Sequence, residues 1–247
     1  MMKPLPERGY GYAPGVFQYS CGVAALPGYR LERARFRRPV ELGEGFARIK
    51  AHLIARGVPL TAFAACELRS PGQFTEAGFA EFNRVYAGTL QDWGVFVGEE
   101  NPVARSNVCP EVSPPAAPGF HAFSYAVPDA ASVASFVIAG NCEAKEGGAT
   151  YRESIVAFGD TSPAGLSAKC HHVMSEMESR MRTLGVGYDA ATAMNLYTVY
   201  DPHPILAREI LGRAAPALGL EWHLCRPPIE GLDWEMDCRG ISHELVL

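Results

Sequence analysis

Two short segments of strand character carry paired polar side chains that suit the chemistry of small carboxylic acids. Arg105 and Asn107 lie two residues apart in the first segment, and Glu235 and Asp237 have the same spacing in the second. Because side chains alternate along a strand, each pair projects from one face. An arginine binds a carboxylate through a planar fork of donors, and a glutamate in a partly dry cleft exchanges protons with water near neutral pH. The two segments therefore predict a carboxylate-binding group and an acid–base group.

The composition indicates an ordinary globular protein. The 247 residues are 48% hydrophobic and 20% charged, which allows one large domain or two domains of about 120 residues. The net charge of -5 disfavours nucleic-acid binding. The N-terminus lacks an apolar signal segment, no run reaches the roughly 18 apolar residues of a membrane span, and the seven cysteines form no CxxC pair. We therefore expect a cytoplasmic protein with reduced thiols and no nucleic-acid or membrane partner.

The order of elements repeats along the chain. Identical residues recur at a constant spacing of 128 residues: Gly57, Ala62, Ala65 and Leu68 align with Gly185, Ala190, Ala193 and Leu196. An apolar helical face precedes the glycine in each copy, and a small apolar run typical of a buried strand follows it. Each half therefore follows the order strands, helix, strand, helix, strand, strand. This order predicts a mixed sheet with both helices packed on one face.

These patterns predict an α+β protein of two tandem units. We place the N-terminal unit at residues 1–127 and the C-terminal unit at residues 133–247, with the linker at Pro128–Ser132. The stretch Tyr10–Pro27 is rich in Gly, Pro and Tyr and shows no clear period. We therefore expect about the first thirty residues of the N-terminal unit to be irregular.

The first half resembles the RidA/YjgF family in two neighbouring motifs. The segment Phe79–Tyr86 matches a helix with the family pattern F-x-x-x-N-x-x-Y, and Asn101–Val108 matches a strand that opens with P-x-A-R. The resemblance implies two tandem units of chorismate-mutase-like fold, each a sheet with two helices on one face. It also implies a homotrimer around a barrel-like core, with ligand clefts between neighbouring units. The best-known activity of the family is hydrolysis of enamines and imines to keto acids and ammonia, without metal or organic cofactor.

The resemblance assigns roles to individual residues of the first half. Arg105 matches the arginine that binds the substrate carboxylate, and Asn83 matches the helix asparagine. Asn107 occupies a nearby substrate-binding position that the family often fills with cysteine. His121 stands on the last strand where the family carries a catalytic glutamate, so the first half departs from the pattern there.

The second half departs from the family in the opposite way. Glu235 matches the catalytic glutamate of the last strand, and Gly140 matches a glycine whose amide meets the ligand. The stretch Leu218–Leu224 contains no arginine, and the helix asparagine is also missing. Since each half keeps what the other has lost, we predict one composite site per chain and one degenerate cleft. The composite site combines Asn83, Arg105 and Asn107 with Gly140 and Glu235.

The predicted function is a cofactor-independent hydrolytic deaminase of an enamine, an imine or an amino-unsaturated carboxylic acid. Two alternatives stay open: a chorismatase-like enzyme for a carboxylate-rich metabolite, since chorismatases also resemble duplicated RidA units, and a non-enzymatic protein that binds a small metabolite. A ribonuclease is disfavoured by the net charge. The sequence leaves open the identity of the substrate, the oligomeric state, and whether the site lies within one chain or between chains.

Two further segments contain residues of functional types but favour structural roles. Cys170–His172 with Glu176 and Glu178 contains metal-ligand types, but a second cysteine pair is missing and the spacing fits no standard zinc site. We therefore predict no metal and interpret this segment as the start of a helix. The five arginines of Arg30–Arg38 are interpreted as a solvated or subunit-facing strand, with an RNA-binding patch as the alternative.

Overall fold

The computed structural model of the chain describes residues 1–131, 134–145, 150–214 and 219–247. The strands are β1 (Lys3–Leu5), β2 (Tyr10–Ala13), β3 (Gly22–Ala25), β4 (Tyr29–Glu41), β5 (Phe63–Arg69), β6 (Ala104–Pro110), β7 (Gly119–Pro128), β8 (Phe136–Cys142), β9 (Ala193–Tyr197), β10 (Leu220–His223), β11 (Cys225–Arg226), β12 (Glu235–Gly240) and β13 (Glu244–Val246). The helices are α1 (Leu42–Ala55), α2 (Glu76–Asp92), α3 (Tyr151–Ser154), α4 (Pro163–Leu184) and α5 (His203–Leu206), the last continued by a π-helical turn at Ala207–Leu211. No helix of the described residues is long and apolar enough to span a membrane.

The strands form two mixed sheets, so the protein is a mixed α+β structure. The seven-stranded sheet has the order β1-β2-β3-β8-β12-β9-β10, and the six-stranded sheet has the order β11-β6-β5-β7-β4-β13. Each sheet contains the same four-strand core, β8-β12-β9-β10 in one and β4-β7-β5-β6 in the other. In both cores the first two pairings are antiparallel and the last is parallel. The two sheets therefore share one four-strand topology.

The three largest apolar clusters of the described residues hold the layers together. Helices α1 and α2 pack on the six-stranded sheet through residues such as Phe46, Ile49 and Leu90. Helix α4 packs on the seven-stranded sheet through its methionines and Leu184, and it ends at Gly185, whose φ of +73° favours glycine. The third cluster lies between the sheets, with Tyr10 and Tyr12 among its members. The sheets therefore face each other, with helices on their outer sides.

Strands from each half complete the sheet of the other half. Strands β1–β3 belong to the sheet that contains β8 and β12, whereas β11 pairs with β6 and β13 pairs with β4. About the first thirty residues, which were expected to be irregular, therefore form three strands. All four residues of β2 are buried because both faces of the strand are covered, and this removes the alternation that the sequence analysis sought. The division at 1–127 and 133–247 stays a prediction, and residues 132 and 133 lie outside the described residues.

Candidate active site

A cavity of about 740 Å³ lies where the two halves meet. The first half contributes the loop between β2 and β3, the start of α2, and β6. The second half contributes the end of β8, helices α3 and α4, and the segment that leads into β12. Four of the five residues predicted for the composite site line this cavity: Arg105, Asn107, Gly140 and Glu235. The fifth, Asn83, does not line it.

Arg105 is held in the cavity wall by aromatic rings. Its guanidinium carbon lies 4.8–6.0 Å from the ring centroids of Tyr19, Phe79, Phe82 and Tyr86. The side chain is buried, and its Nη1 has no hydrogen-bond partner among the described residues. Ring faces attract a cation without neutralising it. The cage therefore orients the guanidinium and leaves its charge for a carboxylate.

The two asparagines occupy different places around Arg105. The Oδ1 atom of Asn107 accepts a hydrogen bond of 2.9 Å from the Ser70 hydroxyl, which orients the amide, and its Nδ2 is buried without a partner among the described residues. Asn83 is buried on α2, between Phe79 and Tyr86 in sequence. Its Oδ1 has no hydrogen-bond partner among the described residues, and its substrate-binding role stays a prediction.

Glu235 begins β12 and is almost fully buried. The Cys142 thiol donates a hydrogen bond of 3.2 Å to Oε2 of the carboxyl group. Burial raises the pKa of Glu235 to about 8, and the negative charge of Asp237 adds to the increase. The Cys142 thiol, the Arg69 guanidinium and the backbone N–H of Asn107 counteract it. Glu235 is therefore mostly a neutral acid at pH 7, able to donate a proton.

Asp237 shares the face of Glu235 but performs a structural role. Its carboxylate accepts hydrogen bonds from Nδ2 of Asn195 at 2.6 Å and from the Tyr197 hydroxyl at 2.9 Å. The Tyr197 ring in turn stacks under the Arg69 guanidinium, 5.6 Å away. These contacts bind Asp237 within the sheet layers, and it does not line the cavity.

Gly140 allows the close approach of the strands at the cavity. A Cβ atom at this position would lie 2.2 Å from Oε1 of Glu235 and 2.9 Å from Cβ of Ser106, so no side chain fits. The pairing of β8 with β12 shifts register between Met236 and Cys238. Such a bulge changes the direction in which neighbouring residues point. Ala139 lies in the cluster between the sheets, and the next residue, Gly140, faces Glu235.

The sequence analysis did not recognise that three residues of α4 line one cavity together. His172, Glu176 and Arg180 are spaced four residues apart, so they lie along one side of the helix and all line the cavity. The Nη1 atom of Arg180 donates to the backbone oxygens of Ala139 at 3.3 Å and Gly140 at 3.5 Å. The Nε2 atom of His172 is buried without a partner among the described residues. The signal in the sequence was a polar stripe beside the apolar face of the helix, whereas His172 and Glu176 were considered only as zinc ligands.

The residues of that zinc hypothesis point in different directions. Cys170 is buried in the apolar cluster of α4, and the exposed His171 pairs with Glu209 at 3.3 Å. Within the ranges that the structure describes, no group of three or more His, Cys, Asp or Glu is arranged to hold a metal ion. Activity without a metal or cofactor stays a prediction.

A buried ion cluster supports the start of β12 behind the cavity. The Lys169 ammonium lies 3.3 Å from Oε1 of Glu143 and 3.1 Å from Oδ2 of Asp233. Glu143 also accepts hydrogen bonds from the backbone N–H groups of Asp233 and Trp234, the two residues before Glu235. The cluster therefore joins α4, the end of β8 and the segment that positions the acid.

His121, which the resemblance matched to the family glutamate, lies on the last strand, in chain order, of the four-strand core in the first half. His121 is half-buried on β7, and burial together with the Arg69 charge lowers its pKa to about 3. Its imidazole is therefore neutral at pH 7. Strand β7 contains no acidic side chain.

Comparisons with known proteins identify the family. The model of the 2-aminomuconate deaminase CnbZ family matches residues 2–245. The chain belongs to this family. It is 50% identical over 241 residues to the 2-amino-5-chloromuconate deaminase of Comamonas testosteroni, which covers 97% of this chain and 96% of that protein. A crystal structure of a chorismatase is similar in fold, with a TM-score of 0.56 and 12% identity over 94% of this chain and 77% of the chorismatase chain.

Family membership corrects one prediction and confirms another. The assignment to the RidA/YjgF family is wrong, because the match to the CnbZ family spans nearly the whole chain whereas the RidA-like motifs cover two short segments. An arginine on a strand beside an aromatic helix is a general way to hold a carboxylate, so these motifs do not distinguish the two families. The prediction of an enzyme that acts on a C–N bond, a deaminase of an amino-unsaturated carboxylic acid, is confirmed.

Proposed function

We propose that this chain hydrolyses 2-aminomuconate to ammonia and a 2-keto dicarboxylic acid in the cavity between its two halves. The observation that carries this proposal is the meeting of a caged, charged Arg105 and a neutral, buried Glu235 in one cavity. The first suits a carboxylate and the second suits proton donation. The family and the relative are both named for deaminases of such acids.

The reaction needs one proton donor and one water. Glu235 donates its proton to a carbon of the dienamine, and the nitrogen lone pair forms the C=N bond of an iminium ion at C2. The Glu235 carboxylate then accepts a proton from a water whose oxygen attacks C2. The resulting carbinolamine transfers a proton to nitrogen, the C–N bond breaks, and ammonia leaves as the C2 ketone forms. The balance is substrate plus water to keto acid plus ammonia, which requires no redox partner.

Buried donors of β6 suit the carboxylate next to the reacting carbon. Both Nη1 of Arg105 and Nδ2 of Asn107 are buried without partners among the described residues, and both residues line the cavity. They project from one face of the strand because they are two residues apart. We assign the C1 carboxylate to this pair, which fixes C2 near Glu235.

An apolar wall suits the diene. Phe79, Ile229 and Leu232 are buried in one cluster and line the cavity. A chlorine substituent on the diene is apolar and is tolerated by such a wall. Since the relative from Comamonas testosteroni is named for the 5-chloro substrate, we propose that this chain also accepts 2-amino-5-chloromuconate.

The alternatives and the assembly follow from the same findings. The likeness to a chorismatase at 12% identity shows the fold alone, so it does not favour chorismatase activity. Membership of a deaminase family excludes the non-enzymatic binding protein.

We propose that the two four-strand cores arose by duplication. We also propose that the chain is a cytoplasmic enzyme, which its seven free cysteines support. The predicted homotrimer rested on the incorrect family assignment, so the oligomeric state stays a prediction that sedimentation analysis can test.

The decisive experiment measures ammonia release from 2-aminomuconate. We expect activity in the wild type and, for Arg105→Gln, a loss of about 10- to 100-fold in kcat/KM, because a charge-assisted bond to the carboxylate is removed. Arg84→Gln, on the exposed side of the same helix as the arginine cage, is the matched control and retains activity. An inactive wild type, or an Arg105 variant as active as the control, would contradict the proposal.

A further inference from the structure

A dicarboxylate needs two separated cationic groups in the cavity. The two carboxylates of 2-aminomuconate end a rigid, conjugated six-carbon chain, so one guanidinium cannot bind both. Besides Arg105, the basic residues that line the cavity among the described residues are Lys145, His172 and Arg180. All three belong to the second half, on the wall that faces the first half.

Arg180 has the best position of the three. Its guanidinium bonds to the backbone oxygen of Gly140, where a Cβ atom would meet both Oε1 of Glu235 and Ser106, the neighbour of Arg105. Arg180 and Arg105 therefore line the cavity that contains Glu235 from opposite halves of the protein. Arg180 is also buried, where an ion pair is screened little by solvent.

The other two basic residues fit less well. Lys145 is exposed, so water and salt weaken its attraction for a carboxylate. His172 lies two helical turns from Arg180, which is about 12 Å along the helix axis. Glu176 lies between these two residues on the same side of the helix. An imidazole offers at most two N–H donors, against the five of a guanidinium, so His172 would bind a carboxylate through fewer hydrogen bonds.

We propose that Arg180 is the second carboxylate-binding residue, and that the cavity selects dicarboxylates by holding them between Arg105 and Arg180 with Glu235 against the diene. This inference rests on the proposed dicarboxylate substrate. A guanidinium has five N–H donors in a planar fork, so it can bond to backbone oxygens and to a carboxylate at the same time. Its bonds to Ala139 and Gly140 hold the fork at the bulge that also positions Gly140 against the acid.

The arrangement explains why a neutral Glu235 is useful. A dianion held between two arginines brings two negative charges to two positive ones, and a neutral acid between them adds no repulsion. The buried carboxyl is neutral before the substrate enters, so it already has the proton that the diene carbon requires. The selection of a dicarboxylate and the protonation state of the acid thus favour each other.

The test compares two stable ligands that differ only at one end. Trans,trans-muconate and sorbate have the same six-carbon diene, but sorbate ends in a methyl group where muconate has its second carboxylate. We expect the wild type to bind muconate at least about 10-fold more tightly than sorbate by calorimetry. Arg180→Gln should bring the ratio to within about threefold by weakening muconate alone, whereas Arg105→Gln weakens both ligands.

Two further variants make the test specific to Arg180. Arg182→Gln removes an exposed arginine from the same helix and should preserve the wild-type ratio. Arg180→Lys keeps the charge but loses the fork, so it should give an intermediate ratio of muconate to sorbate affinity. It replaces the glutamine variant in the test if circular dichroism shows that the glutamine variant does not fold. An unchanged ratio in the Arg180 variants, or an equal weakening of both ligands, would overturn the proposal. Because binding is measured without turnover, failure of the deaminase proposal would appear separately in the ammonia assay.

Discussion

Replacing Glu235 with glutamine tests whether the carboxyl group is protonated in the folded protein. Glutamine matches the size and neutrality of the protonated acid, so we expect Glu235→Gln to fold normally. In the wild type, burial raises the pKa to about 8 from an ordinary value of 4.5. A carboxyl whose folded pKa is raised contributes stability below its unfolded pKa, and this contribution is lost as the pH rises through the folded pKa. The free energy of unfolding of the wild type should therefore fall with rising pH. The variant should lack the contribution of the Glu235 carboxyl to this fall.

The size of the effect follows from the two pKa values. Between pH 6 and pH 9 the linkage removes about 2.5 kcal/mol from the free energy of unfolding of the wild type relative to the variant. Urea unfolding at several pH values measures this difference, and other titrating groups cancel because both proteins contain them. Glu230→Gln replaces an exposed glutamate that follows β11 and is the control. Its stability relative to the wild type should not change across this range.

The same titration should appear in the activity. If the protonated carboxyl is the acid, kcat/KM falls about tenfold per pH unit above pH 8, and Glu235→Gln loses about 10²- to 10⁴-fold at pH 7. A stability difference that stays constant from pH 6 to pH 9 would mean that Glu235 is already ionised in the fold. Full activity of the glutamine variant would remove it from the mechanism.

Two further substitutions probe the neighbours of the acid. Cys142→Ala removes a donor that lowers the pKa of Glu235, so the fall of kcat/KM at high pH should move to higher pH, and a pH–rate profile unchanged from the wild type would refute this. Lys169→Met leaves Glu143 buried beside a second carboxylate without its cation, and we expect a loss of about 3 kcal/mol in urea unfolding, against little change for the exposed Lys50→Met. Equal stability of the two lysine variants would show that the buried cluster does not support the fold.

The sequence named four residues that line one cavity, although the family to which it was assigned was wrong. Residue type and strand spacing singled out Arg105, Asn107 and Glu235, the resemblance added Gly140, and all four line the cavity, while their roles stay predictions. The family assignment failed because it depended on two short motifs. Only the match along residues 2–245 distinguishes the families.

The parts of the site that were missed depend on long-range contacts. Arg180 on α4 enters the cavity because β8 has a bulge whose oxygens it binds, and no local pattern reveals that bulge. The strands β2 and β3 were hidden for a related reason, since a strand covered on both faces has no alternating pattern. The stripe of His172, Glu176 and Arg180 was visible at helical spacing. Its direction became clear only once the sheet under α4 was known.

A site shared between two halves requires that the halves cannot move apart. The chain meets this requirement through strands that cross between the sheets: β11 pairs with β6, which carries Arg105, and β3 pairs with β8, which carries Gly140. Opening the cavity by separating the halves would therefore break backbone ladders as well as the apolar cluster between the sheets. The junction buries Glu235 among the strands, and this burial raises the pKa of its carboxyl group. The exchange of strands and the chemistry of the acid are thus two consequences of one arrangement.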